Sequence, residues 1–222
     1  MTRLVAIDTE TTGLKSKEGD RIIEIAIVEI NRDSQPRYYH QMFNPQGREI
    51  NPEAQAVHGI SAEMLADKPT FAECIPAMLE FLGDDPTGVI HNAGFDLEFL
   101  RDEFMEAGMI WPEIPVIDTF KEAQKEFPRA RHTLDAMCTR FGVDISVRTK
   151  HSALIDTTLL SQLYLAWKGQ SGLDFTMVTP RSTVVKVQAL TDLNKLLVPV
   201  PQIQGATPSH ESWAKHFEGI NL

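Results

Sequence analysis

Asp8 and Glu10 stand two residues apart after the apolar run Leu4-Val5-Ala6-Ile7. In an extended chain that spacing sends both carboxylates to one side, where they can converge on one ion. Asp96 closes the string His91-Asn92-Ala93-Gly94-Phe95-Asp96, and His151 precedes Asp156 by five residues. Taken singly, each piece has a plain structural reading: an acidic loop beside a strand, an aspartate that favours a helix macrodipole, a solvated histidine near a helix end. Gathered, the four carboxylates would repel, since two unit charges about 4 Å apart cost roughly 4 kcal/mol at an effective dielectric of 20. Such a cluster implies a divalent cation, and oxygen donors favour Mg²⁺ or Mn²⁺ over Zn²⁺.

The elements that must position these groups can be read from the apolar pattern. Leu4 to Ile7 has the length and character of a central strand buried on both faces, which puts Asp8 at its C-terminal end. Thr11-Thr12-Gly13-Leu14 then predicts a tight turn with Gly13 free to take positive φ. Ile22 to Ile30 and Tyr38 to Phe43, separated by the turn-rich Asn31 to Pro36, predict an antiparallel start to the sheet, and Val89-Ile90 and Val116-Ile117 predict short strands that lead into helices. Leu97, Leu100 and Phe104 repeat at helical steps after Asp96, and Leu134, Met137, Cys138 and Phe141 do so before the stop at Gly142. From Ser152 onward, Ala153, Asp156, Leu160, Leu163 and Trp167 share one helix face, with a stop expected at Gly169. That places a carboxylate within an apolar stripe, where it requires a cation or a donor.

Composition narrows the function classes. The chain has 222 residues, 42% hydrophobic and 23% charged, as expected of one globular α/β domain with an appendage, and no apolar run approaches the roughly 18 residues of a membrane span. Neither a longer apolar core nor a small-residue cleavage site follows Met1-Thr2-Arg3, so a cytoplasmic location without a signal peptide is the expectation. Cys74 and Cys138 fall in helix-like patterns and read as reduced core residues. A net charge of −10 excludes general electrostatic capture of a long phosphate backbone, so any nucleic-acid contact must be small or metal-assisted.

The strings DTETTGL and HNAGFD and the pair His151 and Asp156, in that order and at these separations, resemble the three motifs of the DEDD 3′–5′ exonucleases with a histidine in the third motif. The match spans about the first 167 residues. VHGI at Val57 to Ile60 and Lys68-Pro69-Thr70-Phe71 are further similar to the proofreading epsilon subunits of bacterial DNA polymerase III. The resemblance implies a ribonuclease H-like mixed sheet of about five strands flanked by helices, with a C-terminal tail. It also implies two divalent cations, Mg or Mn, held by Asp8, Glu10, Asp96 and Asp156, with His151 as the base that takes a proton from the attacking water. Thr11, Leu14, His58, Asn92 and Phe95 match positions near the bound strand, although Leu14 and Phe95 are also consistent with ordinary packing. The implied activity removes mispaired 3′-terminal nucleotides from DNA as nucleoside 5′-monophosphates, as a subunit of a replicative polymerase. A free-standing DNase or RNase of the same family and a non-catalytic replisome scaffold are the alternatives.

Residues 1–168 are expected to form the exonuclease domain, 169–183 a linker and 184–222 a polymerase-binding tail. In the linker, Gln170, Leu173 and Phe175 resemble the sliding-clamp-binding motif Gln-x-x-Leu-x-Phe. In the tail, Thr207-Pro208 resembles a helix start, and Trp213, Phe217 and Ile220 recur at helical spacing as a stripe for the polymerase catalytic subunit.

Overall fold

The computed structural model describes residues 3–31, 36–170 and 198–199. The strands β1 (Arg3–Thr11), β2 (Ile22–Glu29), β3 (Arg37–Met42), β4 (Pro86–Ile90), β5 (Val116–Asp118) and the two-residue β6 (Val198–Pro199) form one sheet in the order β5-β4-β1-β2-β3-β6. β1 pairs antiparallel with β2 and parallel with β4, so it lies inside the sheet. The β2–β3 pair is antiparallel and the β4–β5 pair parallel, which gives the mixed sheet expected. The strand-to-helix connections also appear, as α4 (Ala93–Glu106) after β4 and α5 (Thr119–Glu126) after β5.

The sheet separates two apolar cores because its inner strand alternates. Val5 and Ile7 pack with Phe71, Ile75 and Met78 of α3 (Phe71–Leu82) and with Phe99, Leu100 and Phe104 of α4. Ala6 packs on the opposite side with Met137 and Cys138 of α6 (Leu134–Phe141) and with Leu159, Leu160, Leu163 and Trp167 of α7 (Ala153–Gln170). Two short helices, α1 (Pro52–His58) and α2 (Ala62–Leu65), lie between β3 and α3. The start of α3 is fixed by a capping box: Thr70 Oγ1 accepts from Glu73 N–H, while the Glu73 carboxylate accepts from Thr70 N–H at 2.7 Å.

Three local expectations are corrected. First, β1 does not end at Ile7; it runs through Asp8 and Glu10 to Thr11, because β2 continues the ladder until a register irregularity between Glu10 and Thr11. Second, Gly13 is absent from the positive-φ residues, and its side-chain position is taken instead by the Asp20 carboxylate, which a Cβ would strike. Third, α7 passes Gly169 and reaches Gln170. Its last turns are held on α5 by Trp167 Nε1 donating to Glu126 at 2.9 Å and Lys168 Nζ to Glu122 at 2.7 Å, which outweighs the weak helix preference of one glycine. The stop at Gly142 is present, with φ of 72° as the left-handed cap of α6. Cys138 is buried and Cys74 half-buried, both as free thiols. Among the described residues no helix is long and apolar enough to cross a membrane.

Candidate active site

Three separate stretches of chain bring carboxylates to one end of the sheet. Asp8 and Glu10 come from β1, Asp96 from the first turn of α4, and Asp156 from the first turn of α7. Asp8 and Glu10 share strand parity with Ala6, whose face packs on α7, and this is why α7 delivers its carboxylate to them. Asp96 is buried and tied to β1, its Oδ1 accepting from Thr9 N–H at 3.0 Å and Thr9 Oγ1 at 2.8 Å. Glu10, His151 and Asp156 each offer a ligand atom, all within 4.8 Å of one another.

The electrostatics are those of negative charges withheld from water. Burial, then Asp96, Asp156, Glu10 and Glu24, push the Asp8 carboxyl well above its ordinary range. Burial and the facing Glu24 push Glu10 up to about 8, and burial raises Asp96 to about 7 against the hydrogen bonds from Thr9. At neutral pH such a cluster must hold protons or a cation. With oxygen donors from two strand carboxylates and two helix carboxylates, beside one imidazole, it fits hard divalent ions.

Two residues not singled out by sequence reasoning complete the site. Glu24, buried on β2 with its Cα opposite that of Glu10, accepts from Ala153 N–H at 2.9 Å and Ser152 Oγ at 3.3 Å, and lies 2.7 Å from His40 Nε2. It therefore satisfies the free N-terminus of α7 and fixes where that helix starts. The signal was a lone carboxylate inside Ile22-Ile23-Glu24-Ile25, which needs a partner as Asp156 does. Arg148 forks onto Asp156, with Nε to Oδ1 at 2.5 Å and Nη2 to Oδ2 at 2.7 Å, while Nη1 donates to Asp135 at 2.7 Å. Its Nη2 also donates to His151 Nδ1 at 3.0 Å. This is the cation that the apolar stripe around Asp156 called for.

The residues expected along a bound strand are less uniform. Leu14 is 78% exposed, on the rim of a groove of about 700 Å³ shared with Lys15, Arg48 and Asn51. Asn92 is exposed at φ of 70°, a conformation uncommon outside glycine, and caps α4 without a side-chain cap bond. Phe95 is partly buried against Phe99, with ring centroids 4.9 Å apart. Thr11 is buried and its hydroxyl donates to Gly13 O at 2.5 Å, while His58 is buried with Nδ1 accepting from Ile60 N–H at 2.9 Å. Both are thus engaged in holding the site's walls. Gln170 is the last residue of α7; Leu173, Phe175, Trp213 and Phe217 lie outside the described residues.

This arrangement agrees with a match of the exonuclease (RNase_T) family to residues 5–164, and the chain belongs to that family. Over its whole length it is 36% identical to DNA polymerase III subunit epsilon of Salmonella typhimurium, covering 93% of that protein. It is also 38% identical to the subunit epsilon of Rickettsia prowazekii, covering 99% of this chain and 96% of the relative. Among solved structures, Exonuclease X in complex with 5′-overhanging duplex DNA superposes with a TM-score of 0.58 at 29% identity, covering 77% of this chain and 94% of that one. The nuclease domain of 3′hExo, a DEDDh family member bound to rAMP, has a TM-score of 0.64 at 17% identity over 80% of this chain and 96% of that one, a likeness of fold. The protein is a metal-dependent 3′–5′ exonuclease.

Proposed function

We propose that the chain is the proofreading subunit of a replicative DNA polymerase, removing mispaired 3′-terminal nucleotides from DNA as nucleoside 5′-monophosphates. The observation that carries this reading is the convergence of Asp8, Glu10, Asp96 and Asp156 beside His151 in a chain similar to epsilon subunits over its whole length. Those four carboxylates hold two divalent ions, Mg²⁺ or Mn²⁺. When bound, the ions supply the positive charge that an acidic chain lacks, acidify the attacking water and stabilise the leaving 3′ oxygen. His151 takes the proton of that water at a ring nitrogen. Burial and the Arg148 charge lower its pKa, so the imidazole is neutral and able to accept at pH 7.

Leu14 presses on the terminal base, and Asn92 and Phe95 flank it, while Thr11 and His58 form the wall behind. No group in this set reads base identity. Selection for a mismatch follows from the cost of opening the end: each intact DNA step costs about 1.4 kcal/mol, about tenfold in rate. Residues 169–183 carry the contact to the sliding clamp through Gln170, Leu173 and Phe175, and 184–222 carry the contact to the polymerase through Trp213 and Phe217. All of this takes place in the cytoplasm.

The test is a 5′-labelled oligodeoxynucleotide with a matched or mismatched 3′ end. Stepwise shortening from the 3′ end in Mg²⁺, faster on the mismatch, with none in EDTA or with Asp8→Ala, is expected. Internal cleavage, or an undiminished rate in the variant, would overturn the reading.

A further inference from the structure

Arg148 holds every atom that the proposed chemistry needs from the third motif. Its fork occupies both oxygens of Asp156, at 2.5 and 2.7 Å, and its Nη2 donates to His151 Nδ1 at 3.0 Å. Because Nδ1 accepts there, the ring proton is assigned to Nε2. The fork takes one lone pair on each Asp156 oxygen and sets a guanidinium charge against them, so a divalent ion arriving at that carboxylate meets like-charge repulsion from Arg148.

We propose that Arg148 is an exchangeable plug of the metal site: its guanidinium and a divalent ion compete for Asp156, and Asp135 retains the arginine when the ion takes it. This rests on the assignment of Asp156 as a metal ligand. Three features support exchange over a permanent ion pair. Asp156 is nearly inaccessible whereas Asp135 is about half exposed, its side chain at 47% against 4%. Unassisted departure of Arg148 would thus leave a buried carboxylate uncompensated, and the plug stays until another cation arrives. The bond from Nη1 to Asp135 at 2.7 Å uses a nitrogen that touches neither Asp156 nor His151, so it survives the exchange as a tether. Finally, Arg148 lies in the irregular segment between Phe141 and Ala153, where a shift breaks no helix or ladder hydrogen bond. One displacement then does two things: it vacates the ligand oxygens and uncovers Nδ1 of His151. Site loading and base release are a single event.

Isothermal titration of the full chain with Mn²⁺ tests this without reference to turnover. Arg148→Met removes the competitor, and since a hydrogen bond to a charged group is worth about 1.5–3 kcal/mol, Mn²⁺ binding should tighten about tenfold or more. Because the Nη1–Asp135 bond is present before and after the exchange, Asp135→Asn should change Mn²⁺ affinity by less than about threefold, and the double variant should match Arg148→Met alone. If Arg148→Met fails to fold by circular dichroism, Arg148→Lys keeps the charge without the fork and should tighten binding about threefold. Asp156→Asn separates the two readings. Unchanged Mn²⁺ binding there refutes Asp156 as a ligand. Loss of binding there, together with wild-type or weaker affinity when Arg148 is replaced, refutes the plug alone.

Discussion

Replacing Glu10 by glutamine should make the protein more stable in EDTA at alkaline pH and remove part of its pH dependence. Burial and the facing Glu24 raise this carboxyl from 4.5 to about 8. Between those values the folded chain binds a proton that the unfolded chain has released, so stability falls as pH rises through this window, the reverse of an ordinary salt-bridged acid. The difference between pH 5 and pH 8 amounts to about 3 kcal/mol for this group. For a domain of this size that is about 6–12 °C in melting temperature. His58, His91 and His151, whose pKa values burial lowers, contribute the opposite slope, and they cancel when wild type and Glu10→Gln are compared. Thermal unfolding in EDTA at both pH values measures the effect. The variant should gain on the wild type at pH 8 and differ little at pH 5; an equal difference at both would show that Glu10 is hydrated and that the carboxylates do not form a desolvated cluster.

His151→Gln should slow hydrolysis by roughly 10²–10⁴ and abolish the ascending limb of the pH–rate profile, and a retained limb would assign the base elsewhere. Glu24→Gln should destabilise the domain by about 1–3 kcal/mol in urea unfolding, since it leaves the start of α7 with a weaker acceptor; unchanged stability would show that water caps that helix. Leu173→Ala with Phe175→Ala should abolish binding to the cognate clamp in surface plasmon resonance while leaving oligonucleotide hydrolysis unchanged, and equal affinity would reduce the segment to a linker.

The parts of the site that a sequence states openly are those set by local periodicity. Strand parity placed Asp8 and Glu10 on one side, and helical spacing placed Asp156 on the buried stripe of α7, where its need for a partner could be deduced. The partner's identity could not. Arg148 precedes Asp156 by eight residues across an irregular loop, and nothing in its neighbours distinguishes it from a solvated arginine. Glu24 was legible as an anomaly, a charge in an apolar strand, but its contact with α7 spans 129 residues of chain and depends on the tertiary fold. Likewise Gly13 was read for its backbone freedom, when the close approach of Asp20 is what excludes a side chain there.

The proposed ligand set comes from chain segments far apart in order of synthesis. Asp8 and Glu10 are made early, Asp96 midway and Asp156 only with α7. At roughly 5–20 residues per second, the interval from the first carboxylate to the last is about 7 to 30 seconds of translation. Once Asp118 has been added, a nascent chain possesses β1 to β5 but still lacks Asp156. The set is equally incomplete in a chain clipped before α7, or one in which that helix has locally unfolded. On the proposed assignment of the four carboxylates, this exonuclease is disarmed whenever its fold is incomplete.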